Sequence, residues 1–244
     1  MNRLIPVLAL TALAALASGC NFSGSAEARD AGPTVDRTFA VGAFDRITVA
    51  GPYDVKVTTG GKPGVSARGG EAVLAATEVV VENGTLVIRP KGKRGMRWAW
   101  GKDNQVTMTV TTAAIRGATI AGSGGIDIDR ARGDNFEGQV AGSGDLALGS
   151  VEANAAKFEI AGSGGVRAAG KVARLEVSIA GSGDVDLSAL TATDARVSIA
   201  GSGNVRANAT GTAKVSMMGS GNIDVTGGAR CEVSKHGSGD VRCS

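Results

Sequence analysis

Few residues in this 244-residue chain are of a type and spacing that could do chemistry. Carboxylates recur beside a Gly-Ser-Gly tripeptide, as in Gly181-Ser182-Gly183-Asp184-Val185-Asp186. Stacked Gly and Asp can hold calcium in a β-roll, but such a roll needs a Gly-rich turn about every nine residues. Here one turn occurs every 18 to 20, and the residue after the tripeptide varies among Gly125, Asp145, Gly165, Asp184, Asn204, Asn222 and Asp240. A ladder of side-chain amides and carboxyls closing successive turns is the reading favoured over a row of metal ions. His236 is the single histidine, so neither a Ser-His-Asp arrangement nor a multi-histidine metal site can be assembled. No Gly-x-Ser-x-Gly elbow is present. A polysaccharide lyase or hydrolase would need acidic and basic groups converging in a groove. Most of the regularly spaced carboxylates face an opposite charge one repeat away, which lowers rather than raises a carboxyl pKa. The expectation is a non-enzyme with no catalytic residues, no metal and no cofactor.

One segment stands apart. Lys91, Lys93, Arg94, Arg97, Trp98, Trp100 and Lys102 bring both tryptophans of the chain together with a cluster of positive charge. Such a loop could settle on anionic lipid or lipopolysaccharide, with Trp at the interface and Lys or Arg on phosphate. The other reading is a connection whose Trp residues cover one side of the fold. Net charge is +3 and much of it lies here, so the body is close to neutral and a nucleic-acid partner has little electrostatic support.

The elements that must position these groups follow from a repeat. Gly-Ser-Gly begins at residues 122, 142, 162, 181, 201, 219 and 237, with successive spacings of 20, 20, 19, 20, 18 and 18. A period of this size means a solenoid. Counting from the first Gly, position −2 holds Ile120, Val140, Ile160, Ile179, Ile199, Met217 and Lys235. Positions −4, +4 and +6 are also apolar in most repeats, as in Val197, Val205 and Ala207 around Gly201. Spacing by two is strand periodicity, so these side chains point inward. With 38 Gly and only 3% aromatics, the predicted fold is an all-β parallel β-helix, a β-solenoid with coils of 18–20 residues and Gly-Ser-Gly corners. Outward position −5 reads Glu137, Lys157, Glu176, Arg196, Lys214, Glu232, which predicts cross-coil ion pairs that hold register.

The pattern extends upstream. Ile47, Val49, Gly51, Val55 and Val57 fill the same slots, making Phe44 to Thr58 a divergent first corner. After it in sequence, Val79–Ile88 reads as two strands joined at Asn83-Gly84, and Val106–Val110 resumes alternation. Cys231 and Cys243 lie at −6 and +6 of the last coil on the inward parity; in an exported chain they form either a disulfide tying down the open end or two buried thiols.

Arg3, the apolar run Leu4 to Ala17 and the small residues before Cys20 make an export signal over residues 1–19, too short to span a bilayer. The segment resembles a bacterial lipoprotein signal, which implies lipidation of Cys20; the alternative is an ordinary secretory signal. By the same resemblance Asn21 favours the outer membrane. Residues 20–39 then read as a lipidated Cys and flexible tether.

Phe44-Asp-Arg-Ile-Thr-Val-Ala-Gly-Pro-Tyr-Asp-Val-Lys-Val, the later Asn83-Gly-Thr-Leu-Val-Ile and the run of Gly-Ser-Gly corners resemble the putative auto-transporter adhesin head GIN domain family, over residues 40–243. That resemblance implies a bacterial, exported or lipid-anchored single-domain β-helix with no established enzymatic activity. The expected partners are the membrane, through the anchor, and a glycan, lipopolysaccharide or protein.

Overall fold

The computed structural model describes residues 31–92 and 105–244, and apart from one short helix its regular structure is strand. In chain order the elements are β1 (Thr34–Phe39), β2 (Arg46–Ala50), β3 (Tyr53–Thr59), β4 (Gly64–Gly70), α1 (Glu71–Ala75), β5 (Thr77–Glu82), β6 (Thr85–Pro90) and β7 (Val106–Thr112). The coils follow: β8 (Gly117–Gly122), β9 (Gly125–Ile128), β10 (Ala131–Gly142), β11 (Asp145–Gly162), β12 (Gly165–Gly181), β13 (Asp184–Gly201), β14 (Asn204–Gly219), β15 (Asn222–Thr226), β16 (Arg230–His236) and β17 (Asp240–Cys243). From β8 onward each coil pairs in parallel with the next, giving a β-solenoid of about six turns.

The predicted inward positions form the core. Ile120, Val140, Ile160, Ile179, Ile199 and Met217 are buried at −2, and Ile126, Leu146, Val166, Val185, Val205 and Ile223 are buried at +4. Burying each such side chain contributes about 1.5–3 kcal/mol, and only stacking achieves it. At the corners the backbones approach closely enough to bond directly: Ser182 N donates to Gly162 O at 2.9 Å and Ser202 N to Gly181 O at 2.9 Å. Gly201 has φ +141°, and a Cβ placed on it would overlap the carbonyl oxygen of Gly181. A side chain is therefore excluded twice, by conformation and by space.

The first corner stacks where its pattern predicted. Val49 lies level with Ile120, Val55 with Ile126, and Gly51 N donates to Ala121 O at 3.0 Å. The strands that follow it in sequence do not separate it from the array. Instead β6 and β7 pair with the opposite edges of β2 and β3, with Val49 level with Ile88 and Val55 with Met108. The spatial order is thus β6/β7, β2/β3, β8/β9. In the β6/β7 coil, Pro90 stands level with the corner Gly51 and Val106 with Tyr53.

That end is closed by antiparallel additions. β5 and β6 form the expected hairpin through Asn83 (φ 50°) and Gly84 (φ 76°), β4 pairs with β7, and β1 pairs with β4. The last pairing corrects the tether: residues 34–39 belong to the folded body. Val35 and Phe39 pack on the core, and β4 offers them an unpaired strand edge. α1 sits beside it, with Ala72 N donating to Ala31 O at 3.0 Å.

At the other end, among the described residues, β16 and β17 pair with β14 and β15 on one side and with no further coil on the other. Their inward parity is as predicted, but burial does not follow, because an inward side chain needs a coil on both sides. Val233 is 50% exposed, Cys231 is half-buried, and Lys235 and Cys243 are exposed. Cys231 and Cys243 are joined as a disulfide, Cα–Cα 6.6 Å. Lys235 turns its amine onto Gly239 O at 2.7 Å.

Gly201→Ala is expected to destabilise by at least about 2 kcal/mol, since strained backbone alone costs 1–3 kcal/mol, and to lower the urea midpoint accordingly. Gly42→Ala, where a Cβ meets nothing within 4 Å, is expected to stay within about 0.5 kcal/mol.

Candidate functional site

Where the strand bends, an inward residue is flanked by two outward ones, and stacking turns each such triplet into a groove along the solenoid axis. Around −6 the floor is Phe136, Ala156, Leu175, Ala195 and Ala213, all buried. One wall is the −5 column already described; the other, at −7, includes Arg174, Asp194, Thr212 and Arg230. The groove holds about 610 Å³ and is lined by six successive coils. A second groove of about 680 Å³ follows the corner, floored by the +4 residues and walled by the +3 and +5 columns.

The +3 wall is a ladder. Asn204 Nδ2 donates to Asp184 Oδ1 at 2.8 Å, and Asn222 Nδ2 donates to Asn204 Oδ1 at 3.0 Å. Asp240 N reaches Asn222 Oδ1 at 3.4 Å. These side chains are spent on one another. Among the described residues no group of three or more His, Cys, Asp or Glu is placed to hold a metal ion.

The charge columns pair less completely than their alternation predicts. Lys214 Nζ meets Glu232 at 3.2 Å, and Arg206 meets Asp186 at 3.9 Å. Lys157, however, bonds Glu159 of its own coil at 2.7 Å, and Glu137 is taken by Arg46 at 2.9 Å. The longer reach of Lys and Arg lets them choose a partner two residues along the strand or, past Gly117, two coils away in the same column. Arg46 and its neighbouring positive charges hold the Glu137 carboxyl below the ordinary range. Asp186 is also held low, first by the hydroxyl and backbone N–H of Ser188 and then by Arg206.

Among the described residues, Arg174, Arg196 and Arg230 have no ion-pair partner within 4.0 Å. Arg196 appears in the −5 column; Arg174 and Arg230 belong to the −7 column, which stepping back two more residues from each corner would have shown. Of the basic Trp segment, Lys91 is described: its amine donates to Ala75 O at 2.7 Å and its backbone N–H to Ala76 O at 2.7 Å, at the end of α1. Lys93, Arg94, Arg97, Trp98, Trp100 and Lys102 lie outside the described residues, as does Cys20. Among the described residues no helix is long and apolar enough to cross a membrane.

A single stack of parallel coils with corner glycines and axial grooves defines the class, a parallel β-solenoid. Residues 43–229 match the family described as "Putative auto-transporter adhesin, head GIN domain", and the chain belongs to it. A crystal structure described as a putative adhesin from Bacteroides fragilis superposes with TM-score 0.80 at 22% identity, covering 87% of this chain and 97% of that one. One described as a putative lipid binding protein from Parabacteroides distasonis gives TM-score 0.68 at 23% identity, covering 87% and 97%. A putative adhesin from Parabacteroides merdae gives 0.68 at 16%, with the same coverage. These likenesses establish the fold. No curated protein matches the chain.

Because the folded-state pKa of Glu137 is depressed, its contribution to stability is present above the ordinary value of 4.5 and is lost as pH falls through the lower folded value. The pair is largely exposed, so Glu137→Gln is expected to cost less than about 1 kcal/mol at neutral pH. Denaturant midpoints of the variant and the parent are expected to converge as pH falls below 4.5.

Proposed function

We propose that this protein is a non-enzymatic, lipid-anchored module of the bacterial cell envelope that holds an extended partner along the solenoid. The observation that carries this reading is the −6 groove: a trough with a buried apolar floor and exposed charged walls, lined by six coils. The two carboxylates with displaced pKa are both held in the ionised state, the opposite of what a general acid needs. The anchor rests on Cys20 and its preceding segment, and the outer membrane on Asn21. In the test, radiolabelled palmitate is expected to enter the wild-type chain and remain absent from Cys20→Ala, which moves from the membrane to the soluble fraction. Label in the variant, or cleavage of any member of a polysaccharide panel by the purified chain, would overturn the reading.

A second reading is contact with anionic lipid or lipopolysaccharide through the basic Trp segment. It is favoured by the placement of Lys91 at one end of α1 and of Ala31, where the N-terminal segment joins the body, against the other. Both therefore lie at the same end of the solenoid. The lipid-binding description of the Parabacteroides distasonis structure points the same way. Flotation of the Cys20→Ala chain with liposomes containing phosphatidylglycerol is expected to exceed that with phosphatidylcholine alone and to fall severalfold in Trp98→Ala/Trp100→Ala. Equal flotation on both lipids would discard this reading.

A further inference from the structure

We infer that the −6 groove binds a linear acidic polysaccharide, one sugar per coil, through Arg174, Arg196 and Arg230. The inference rests on the binding-module reading above and names the chemistry of its partner.

Four observations converge on this groove. First, its three arginines are unpaired although acids stand level with two of them: Arg174 lies opposite Asp194 and Arg196 opposite Glu176. Asp194 instead accepts from the Thr212 hydroxyl at 2.5 Å. Second, the −5 alternation fails at one place, where Arg196 and Lys214 are neighbours on successive coils. Like charges directly opposite are destabilising, so this departure works against register and is explained by a ligand rather than by the fold. Third, Arg174 and Arg230 share a column three coils apart, roughly 14 Å at the usual strand spacing of about 4.8 Å, with Arg196 on the facing wall between them. The coil spacing is close to the length of one pyranose residue in an extended chain, so a uronate polymer keeps step with the guanidiniums. Planar guanidinium matches carboxylate in two parallel hydrogen bonds.

Fourth, the direction of the groove separates a glycan from a peptide. Peptides bind sheets by adding a strand, which requires unpaired backbone groups. Here the groove crosses the strands, and along its floor the backbone N–H and C=O groups are engaged by the coils on either side. Only side chains are offered, which suits hydroxyl and carboxylate groups. The Ala156, Ala195 and Ala213 floor leaves depth for a ring without an aromatic platform.

The full chain, purified in detergent, is assayed by affinity electrophoresis and calorimetry against polygalacturonate and hyaluronate, with methyl-esterified polygalacturonate and polyglutamate as comparisons. The expected result is binding to at least one uronate polymer, loss on esterification, and affinity lower by on the order of tenfold or more in Arg174→Gln/Arg196→Gln/Arg230→Gln. Arg167→Gln/Arg242→Gln, on the wall of the second groove, is expected to bind within about twofold of the parent. Circular dichroism verifies that both variants are folded. Retention of full affinity by the triple variant, equal binding of the esterified polymer, or tighter binding of polyglutamate with the same arginine dependence overturns the inference. So does absence of binding to both uronate polymers; palmitate labelling at Cys20 then still stands as the separate test of the anchored module.

Discussion

The close approach of successive backbones at the corner is the constraint on which the rest of the molecule depends. Gly201 and its counterparts adopt a positive φ and leave the preceding glycine carbonyl no room for a Cβ. In return the Ser N–H of the five middle corners bonds the coil behind it, as Ser202 does with Gly181. With the corners pinned one above another, every other position of the coil falls into a column. The inward columns become a continuous core, and the outward ones become walls, ladders and charge rows. Regularity of the surface is thus inherited from a steric condition inside the turn.

Because each column is one residue deep, its chemistry is set coil by coil without disturbing the core. The +3 column uses this freedom to close itself, Asp184, Asn204 and Asn222 bonding one another in series. The −5 and −7 columns do not close, and Arg174, Arg196 and Arg230 stay available. Two grooves of similar size thereby differ in what they can offer: the +3 wall of one is engaged with itself, and both walls of the other carry arginines without an ion pair.

The repeat, its corners, the inward positions and even the register of Gly51 against the array were legible in the sequence, since each depends on local alternation and on a glycine that nothing else can replace. What was not legible depends on neighbours. Val49 alternates in the same way whether Ile88 or Ile120 lies beside it, so alternation could not say that β6 and β7 sit outside the first coil. Cys231, Val233, Lys235 and Cys243 point inward as their parity requires, yet only a further coil would have buried them. Residues 34–39 looked like tether because a β-edge partner, β4, is needed to make their Val35 and Phe39 intelligible. Of the candidate site, the −5 charges were visible but their actual partners were not, since Lys157 takes Glu159 along its own strand and Glu137 is met past Gly117 by Arg46, two coils away.

The two ends of the solenoid are built differently from its middle. One is closed by β1, β4, β5 and α1, the other by a disulfide and by Lys235 in a slot that elsewhere holds Ile, Val or Met. Neither closure touches the coils between. Duplication or loss of one coil-length stretch of the gene, in frame from corner to corner, therefore leaves both caps intact and changes the length of the groove by one step. Reach along a partner is a heritable variable in such a molecule, adjustable by recombination without redesign of a single contact.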